Sequence, residues 1–81
     1  MAPTLYNVQS ILFDKKNWTK NTAIKWLDSH GYKHYKIDIT QKKLRFRQEN
    51  PNYILYRYRT ITLPNGIEFI VGFKKLKDEK R

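Results

Sequence analysis

The hydrophobic period of this chain changes at Gly31. Before it, Ala23, Trp26, Leu27 and His30 recur at the spacing of a helix, with Lys20, Asn21, Lys25 and Asp28 on the other side. After it, Ile37, Ile39, Leu44 and Phe46 alternate with Lys36, Asp38, Lys43, Arg45 and Arg47, the two-residue period of half-buried strands. A chain that switches in this way lays one helix stripe on one sheet face, an α+β arrangement. Thr19 supplies an N-cap, Trp18 can staple onto Ala23, and Gly31 can end the helix in the left-handed conformation. A helix is therefore predicted over Thr19 to His30.

Residues 8 to 13 are β-branched and apolar enough for a first strand, central or half-buried, closed by the polar cluster Asp14-Lys15-Lys16-Asn17. The alternation after Gly31 predicts a hairpin turning near Thr40 to Lys42. Glu49-Asn50-Pro51-Asn52 is the next turn, and two long strands then flank Asn65-Gly66, a strong hairpin signal. The expected order is β-α-β-β-β, with one helix packed on a mainly antiparallel sheet. At 81 residues there is room for one small domain, with an ordered core over about residues 6–74 and a charged tail, 75–81, expected to fray. Apolar residues make up 40% of the chain and aromatic ones 15%, more than a disordered basic tail carries.

A two-residue turn at Asn65-Gly66 would pair Leu63 with Glu68, Ile61 with Ile70, Arg59 with Gly72 and Arg57 with Lys74, all on one face. The other face would carry Tyr56, Tyr58, Thr60, Thr62, Ile67, Phe69, Val71 and Phe73, and is expected to receive the helix. A bulge would shift this assignment by one residue. With Leu44 and Phe46 also under the helix, Lys43, Arg45 and Arg47 fall on the open face beside Arg57, Arg59 and Lys74. One sheet face is thus expected to be a basic field, with Gly72 leaving bare backbone opposite Arg59.

That field is the informative feature. Seventeen Lys and Arg stand against seven Asp and Glu, a formal charge of +10. Like charges on adjacent strands cost about 0.2–1 kcal/mol per pair, and a polyanion would offset that cost. The expected nucleic-acid site is Lys43, Arg45, Arg47, Arg57, Arg59 and Lys74, with Lys75 and Lys77 as a mobile fringe and Tyr35 and Tyr53 available to stack on bases. DNA is expected ahead of RNA. The bland alternative pairs Arg47 and Arg59 internally with Asp38, Glu49 or Glu68. A competing reading starts from Ile61, Leu63 and Ile70, which the same register sets side by side on the open face as a homodimer or partner-protein contact.

Other function classes find little support. No oriented nucleophile and base, no carboxylate pair and no glycine-rich phosphate loop is present, so no catalytic residue is assigned and a non-enzymatic protein is expected. His30 and His34 straddle Gly31 and do not share a helix face; with no cysteine, no metal site, disulfide or cofactor is expected. The N-terminus lacks the basic start and long apolar stretch of a signal peptide, and no apolar run is long enough to cross a membrane. Asn17-Trp18-Thr19 matches the glycosylation triplet without a secretory context, and is read as coincidence.

Trp18-Thr19, Ala23, Trp26-Leu27, His30-Gly31-Tyr32, Phe46-Arg47-Gln48, Arg59-Thr60-Ile61-Thr62-Leu63 and Gly66-Ile67 form a pattern that resembles a small domain recurring in tailed phages and large DNA viruses. That domain stands alone or is joined to phage head-morphogenesis proteins. The resemblance covers roughly residues 7 to 74. It implies a viral origin and the β-α-β-β-β order, and it supplies no catalytic residue. With that viral origin, and with no signal-peptide pattern to suggest secretion, the expected place is inside a host cell, in cytoplasm or nucleus, or in the virion; the alternative partner becomes a viral capsid or head protein. The chain departs from the pattern after Trp18-Thr19, where Lys20, Asn21 and Thr22 stand in place of acidic residues that would complement the helix dipole.

Overall fold

The computed structural model describes residues 6–75, and five strands and one helix account for most of them. The strands are β1 (Tyr6–Asp14), β2 (Lys36–Ile39), β3 (Lys43–Arg47), β4 (Tyr56–Thr62) and β5 (Ile67–Lys74); the helix α1 spans Lys20–Ser29. They form one open sheet in the order β2-β3-β1-β5-β4, antiparallel throughout. The fold is a small α+β domain. Its order is β-α-β-β-β-β: the hairpin expected around Thr40 to Lys42 is present as β2 and β3, and the expected β-α-β-β-β order counted that hairpin one strand short. The first strand is central, flanked by β3 and β5, so its apolar residues are buried on the helix side by neighbours to left and right.

Thr19 caps the helix as its sequence predicts. Its hydroxyl accepts from the Thr22 backbone N–H at 3.2 Å, and the Thr22 hydroxyl accepts from the Thr19 N–H at 2.9 Å. Thr22 thus fills the reciprocal role that Glu or Gln usually takes in such a box, and the helix starts without an acid in its first turn. At the other end Gly31 adopts φ +78°. The Gly31 N–H reaches the Asp28 carbonyl and the Tyr32 N–H reaches the Leu27 carbonyl, the paired bonds of a Schellman stop.

Ala23 and Leu27 bring the helix down on Ile11 and Phe13 of β1, Leu44 and Phe46 of β3 and Ile67 of β5, all buried. Phe13 is the hub: Trp18, Trp26 and Phe46 meet its ring edge-on at centroid distances of 5.0, 5.8 and 5.6 Å. Each such edge-to-face pair adds about 0.5–1.5 kcal/mol beyond the area it buries. Trp18 packs on this hub, and its indole N–H donates to the Asn65 carbonyl at 2.9 Å, tying the helix entry to the β4–β5 turn. His30, expected in the buried stripe, is instead exposed. Its ring stacks on Trp26 at 3.9 Å, and its Nδ1 lies 2.8 Å from the Trp26 carbonyl oxygen.

The β4–β5 register differs from expectation by one residue. Thr62 pairs with Glu68, Thr60 with Ile70, Tyr58 with Gly72 and Tyr56 with Lys74, while Ile61, Arg59 and Arg57 pair with Phe69, Val71 and Phe73. The cause lies in the turn. Gly66 alone has positive φ, at +85°, and Asn65 does not, which excludes the two-residue turn that needs positive φ at both. Instead Leu63 donates to the Ile67 carbonyl at 2.8 Å across a three-residue loop of Pro64, Asn65 and Gly66. Pro64 suits the first central position of such a turn, and the extra residue swaps the faces of every β4 side chain.

Candidate nucleic-acid interface

Among the described residues no helix covers the face of the sheet away from α1, and paired positions show what it carries. Lys43, Arg45 and Arg47 of β3 stand opposite Asp14, Leu12 and Ser10 of β1; Leu12 and Ser10 stand opposite Glu68 and Ile70 of β5; those stand opposite Thr62 and Thr60 of β4. Lys36 and Lys74 share the face through their pairing with Arg47 and Tyr56. The cations of β3 occupy alternate positions, so they form a row with a spacing of about 6.8 Å.

A β-bulge at Gln9 shapes the middle of that row. It interrupts the β1–β5 register between Val8 and Ser10 and sets two buried polar side chains, Gln9 and Ser10, beneath Arg45. The Ser10 hydroxyl donates to Gln9 Oε1 at 2.7 Å, while Arg45 Nε donates to Ser10 Oγ at 3.3 Å and its Nη2 to Gln9 Oε1 at 3.4 Å. Both hydrogen-bond acceptors of the guanidinium are neutral; the carboxylate nearest in register, Asp38 opposite it on β2, pairs with Arg47 instead. Its neighbours differ. Lys43 pairs with Glu68 at 3.1 Å, and Arg47 pairs with Asp38 at 3.0 Å, the internal contact foreseen as the bland alternative. These pairs are part-exposed and worth little, so either carboxylate can yield its cation to a competing phosphate.

The remaining expected residues are dispersed. Arg57 and Arg59 lie on the helix side of edge strand β4, not beside Arg45 and Arg47, because the register shift carried them there. Ile61 goes with them, Leu63 packs against the core, and Ile70 alone of the expected apolar trio is on the open face. Gly72 faces Tyr58, not Arg59, and it is buried. Lys75 follows β5, where its ammonium donates to the Tyr53 carbonyl at 2.9 Å. Lys77 and the tail that carries it lie outside the described residues. Tyr35 is 79% exposed and Tyr53 70% exposed.

Two basic clefts lie at the two ends of the β3 row. One, of about 330 Å³, lies beside Arg47 and is lined by Lys33, Tyr35 and Lys36 with one acid, Glu49; the other, of about 530 Å³, lies beside Lys43 and is lined by Lys15, Lys16 and Lys42 with one acid, Asp14. The wall of the first is fixed by Gln48, whose side chain accepts from the Lys33 N–H and donates to the Lys33 carbonyl, both at 2.8 Å. Among the described residues no group of three or more His, Cys, Asp or Glu side chains is placed to hold a metal ion, and His34 is engaged by Asp28 at 3.3 Å. No helix among them is long and apolar enough to cross a membrane.

No family model, curated protein or solved structure matches this chain. The site therefore rests on its own geometry. Sequence reasoning missed Tyr56 and Tyr58, which it assigned to the helix-covered face, and the Gln9-Ser10 support beneath Arg45. The first miss had a readable signal in Pro64; the bulge had none, since Gln9 and Ser10 continue a strand pattern without interruption.

Proposed function

We propose that this is a non-enzymatic nucleic-acid-binding protein that holds phosphates on the uncovered face of its sheet. The observation that carries the reading is the row Lys43, Arg45 and Arg47, on alternate positions of one strand, with Arg45 oriented by hydrogen bonds to the neutral Ser10 and Gln9. Lys36 and Lys74 extend the row on the same face. A guanidinium positioned in advance loses less entropy on gripping a phosphate, and the formal charge of +10 favours any polyanion at long range. The resemblance to phage and large-virus domains supports DNA as the polymer and a virus as the source.

The alternative, a viral structural or homodimeric module, has lost its contiguous apolar trio. What still favours it is the position of β4 at the edge of the sheet, where Ile61 is 44% exposed. Titration of labelled DNA at two salt concentrations separates the readings. Binding that weakens steeply with salt and depends little on sequence is expected; no binding at low salt would overturn the proposal.

A further inference from the structure

Resting on that nucleic-acid reading, we propose that the open face is a platform for single-stranded rather than duplex nucleic acid, with bases stacked on Tyr53 and Tyr58 and phosphates on Arg45 and Arg47. The corrected register places Tyr56 and Tyr58 on the same face as the β3 cations. Tyr53, from the turn before β4, meets Tyr58 edge-on at 5.3 Å, and Tyr56 lies 6.3 Å from Tyr58. These rings are held by dedicated contacts. The Tyr58 hydroxyl accepts from the Asn52 N–H at 2.7 Å, the Tyr56 hydroxyl accepts from Asn7 Nδ2 at 3.0 Å, and Gly72 leaves room beneath Tyr58. Each hydroxyl oxygen is thereby anchored by a local donor, which holds the ring in place, and the ring faces themselves are apolar. That is the property base stacking uses.

The layout decides between one strand and two. From β3 to β4 is three strand spacings, about 15 Å, and the full five-stranded face spans about 19 Å. A duplex major groove is only about 12 Å wide, so this face cannot enter it and would meet a duplex only along its phosphates, where its tyrosines find no unstacked base. A single strand can lie across it. The lateral rows Arg47–Ser10–Ile70–Thr60 and Asn7–Gly72–Tyr58 contain no carboxylate, whereas Asp38 and Glu68 sit on the row of Arg45, and Asp14 on that of Lys43, nearer the β4–β5 turn. The path from Arg47 to the tyrosines is therefore small and partly apolar, with Asp38, the partner of Arg47, lying off it on β2, and Lys74 and Lys75 flank its far end.

The test is fluorescence anisotropy of a labelled 12-nucleotide oligothymidylate, alone and annealed to its complement, titrated with the full chain. The single strand is expected to bind at least tenfold more tightly than the duplex. Tyr53→Ala, at an exposed position outside the core, should weaken single-strand binding about tenfold and leave duplex binding unchanged; Tyr53→Phe should restore it. Equal affinity for both forms, or a Tyr53→Ala variant that binds oligothymidylate like the original chain, overturns this inference while leaving the basic face standing. Failure of either form to bind at low salt overturns the underlying reading, and the inference with it.

Discussion

The ring of Tyr58 occupies the space in which a side chain at position 72 would stand: a β-carbon built on Gly72 lies 2.6 Å from Tyr58 Cε1 and 3.3 Å from Tyr56 Cβ. Gly72 has no positive φ, so what the position requires is room and not backbone freedom. The open face is organised by that relationship, since it seats Tyr58 against β5.

Gly72→Ala should therefore destabilise the fold by about 1–3 kcal/mol through overpacking, read as a lowered midpoint in urea. Adding Tyr58→Ala should remove most of that penalty, since the alanine methyl then meets only Tyr56 Cβ, at 3.3 Å. Independent, additive costs for the two changes would show that the ring and the glycine are not coupled.

The helix cap offers a second check. Thr19→Ala removes the acceptor for the Thr22 N–H and should cost about 1 kcal/mol by chemical denaturation, with nucleic-acid affinity unchanged in the folded protein. An unchanged midpoint would mean that the Thr19–Thr22 pair does not stabilise the helix start.

How much of this was legible beforehand differs from element to element. Helix α1 was legible because its stripe, its Thr19 cap and its Gly31 stop agree, each from a different physical cause. The centrality of β1 followed from its apolar run. The β4–β5 register was not legible from Asn65-Gly66 alone, since that dipeptide suits both a two-residue turn and a three-residue turn with a left-handed glycine. Pro64 tips the choice toward the latter by holding φ near −65° at its first central position. One residue of difference moved Arg57 and Arg59 off the face and brought Tyr56 and Tyr58 onto it. His30 left the predicted stripe because stacking on Trp26 outside the core keeps its polar ring wet while still covering the indole.

Glu68 stands among the cations of the open face, paired with Lys43. Glu68→Gln frees that ammonium and deletes a charge that repels phosphate. Affinity for DNA at low salt should rise a few-fold, and stability should change by less than about 1 kcal/mol because the pair is part-exposed. A fall in affinity would show that the Lys43–Glu68 pair positions the site instead of restraining it.

The most direct measurement is the slope of log K against log salt for single-stranded DNA, compared between two double variants. If Lys43, Arg45, Arg47 and Lys74 each neutralise a phosphate, the original chain should give a slope of about −3. Arg45→Gln with Arg47→Gln should roughly halve it. Arg57→Gln with Arg59→Gln removes the same charge from the helix side of β4 and should leave the slope where it was. Equal reductions by both pairs would show that only net charge matters and that the open face is not the binding surface; a reduction by the Arg57 and Arg59 pair alone would place binding on the opposite side of the sheet.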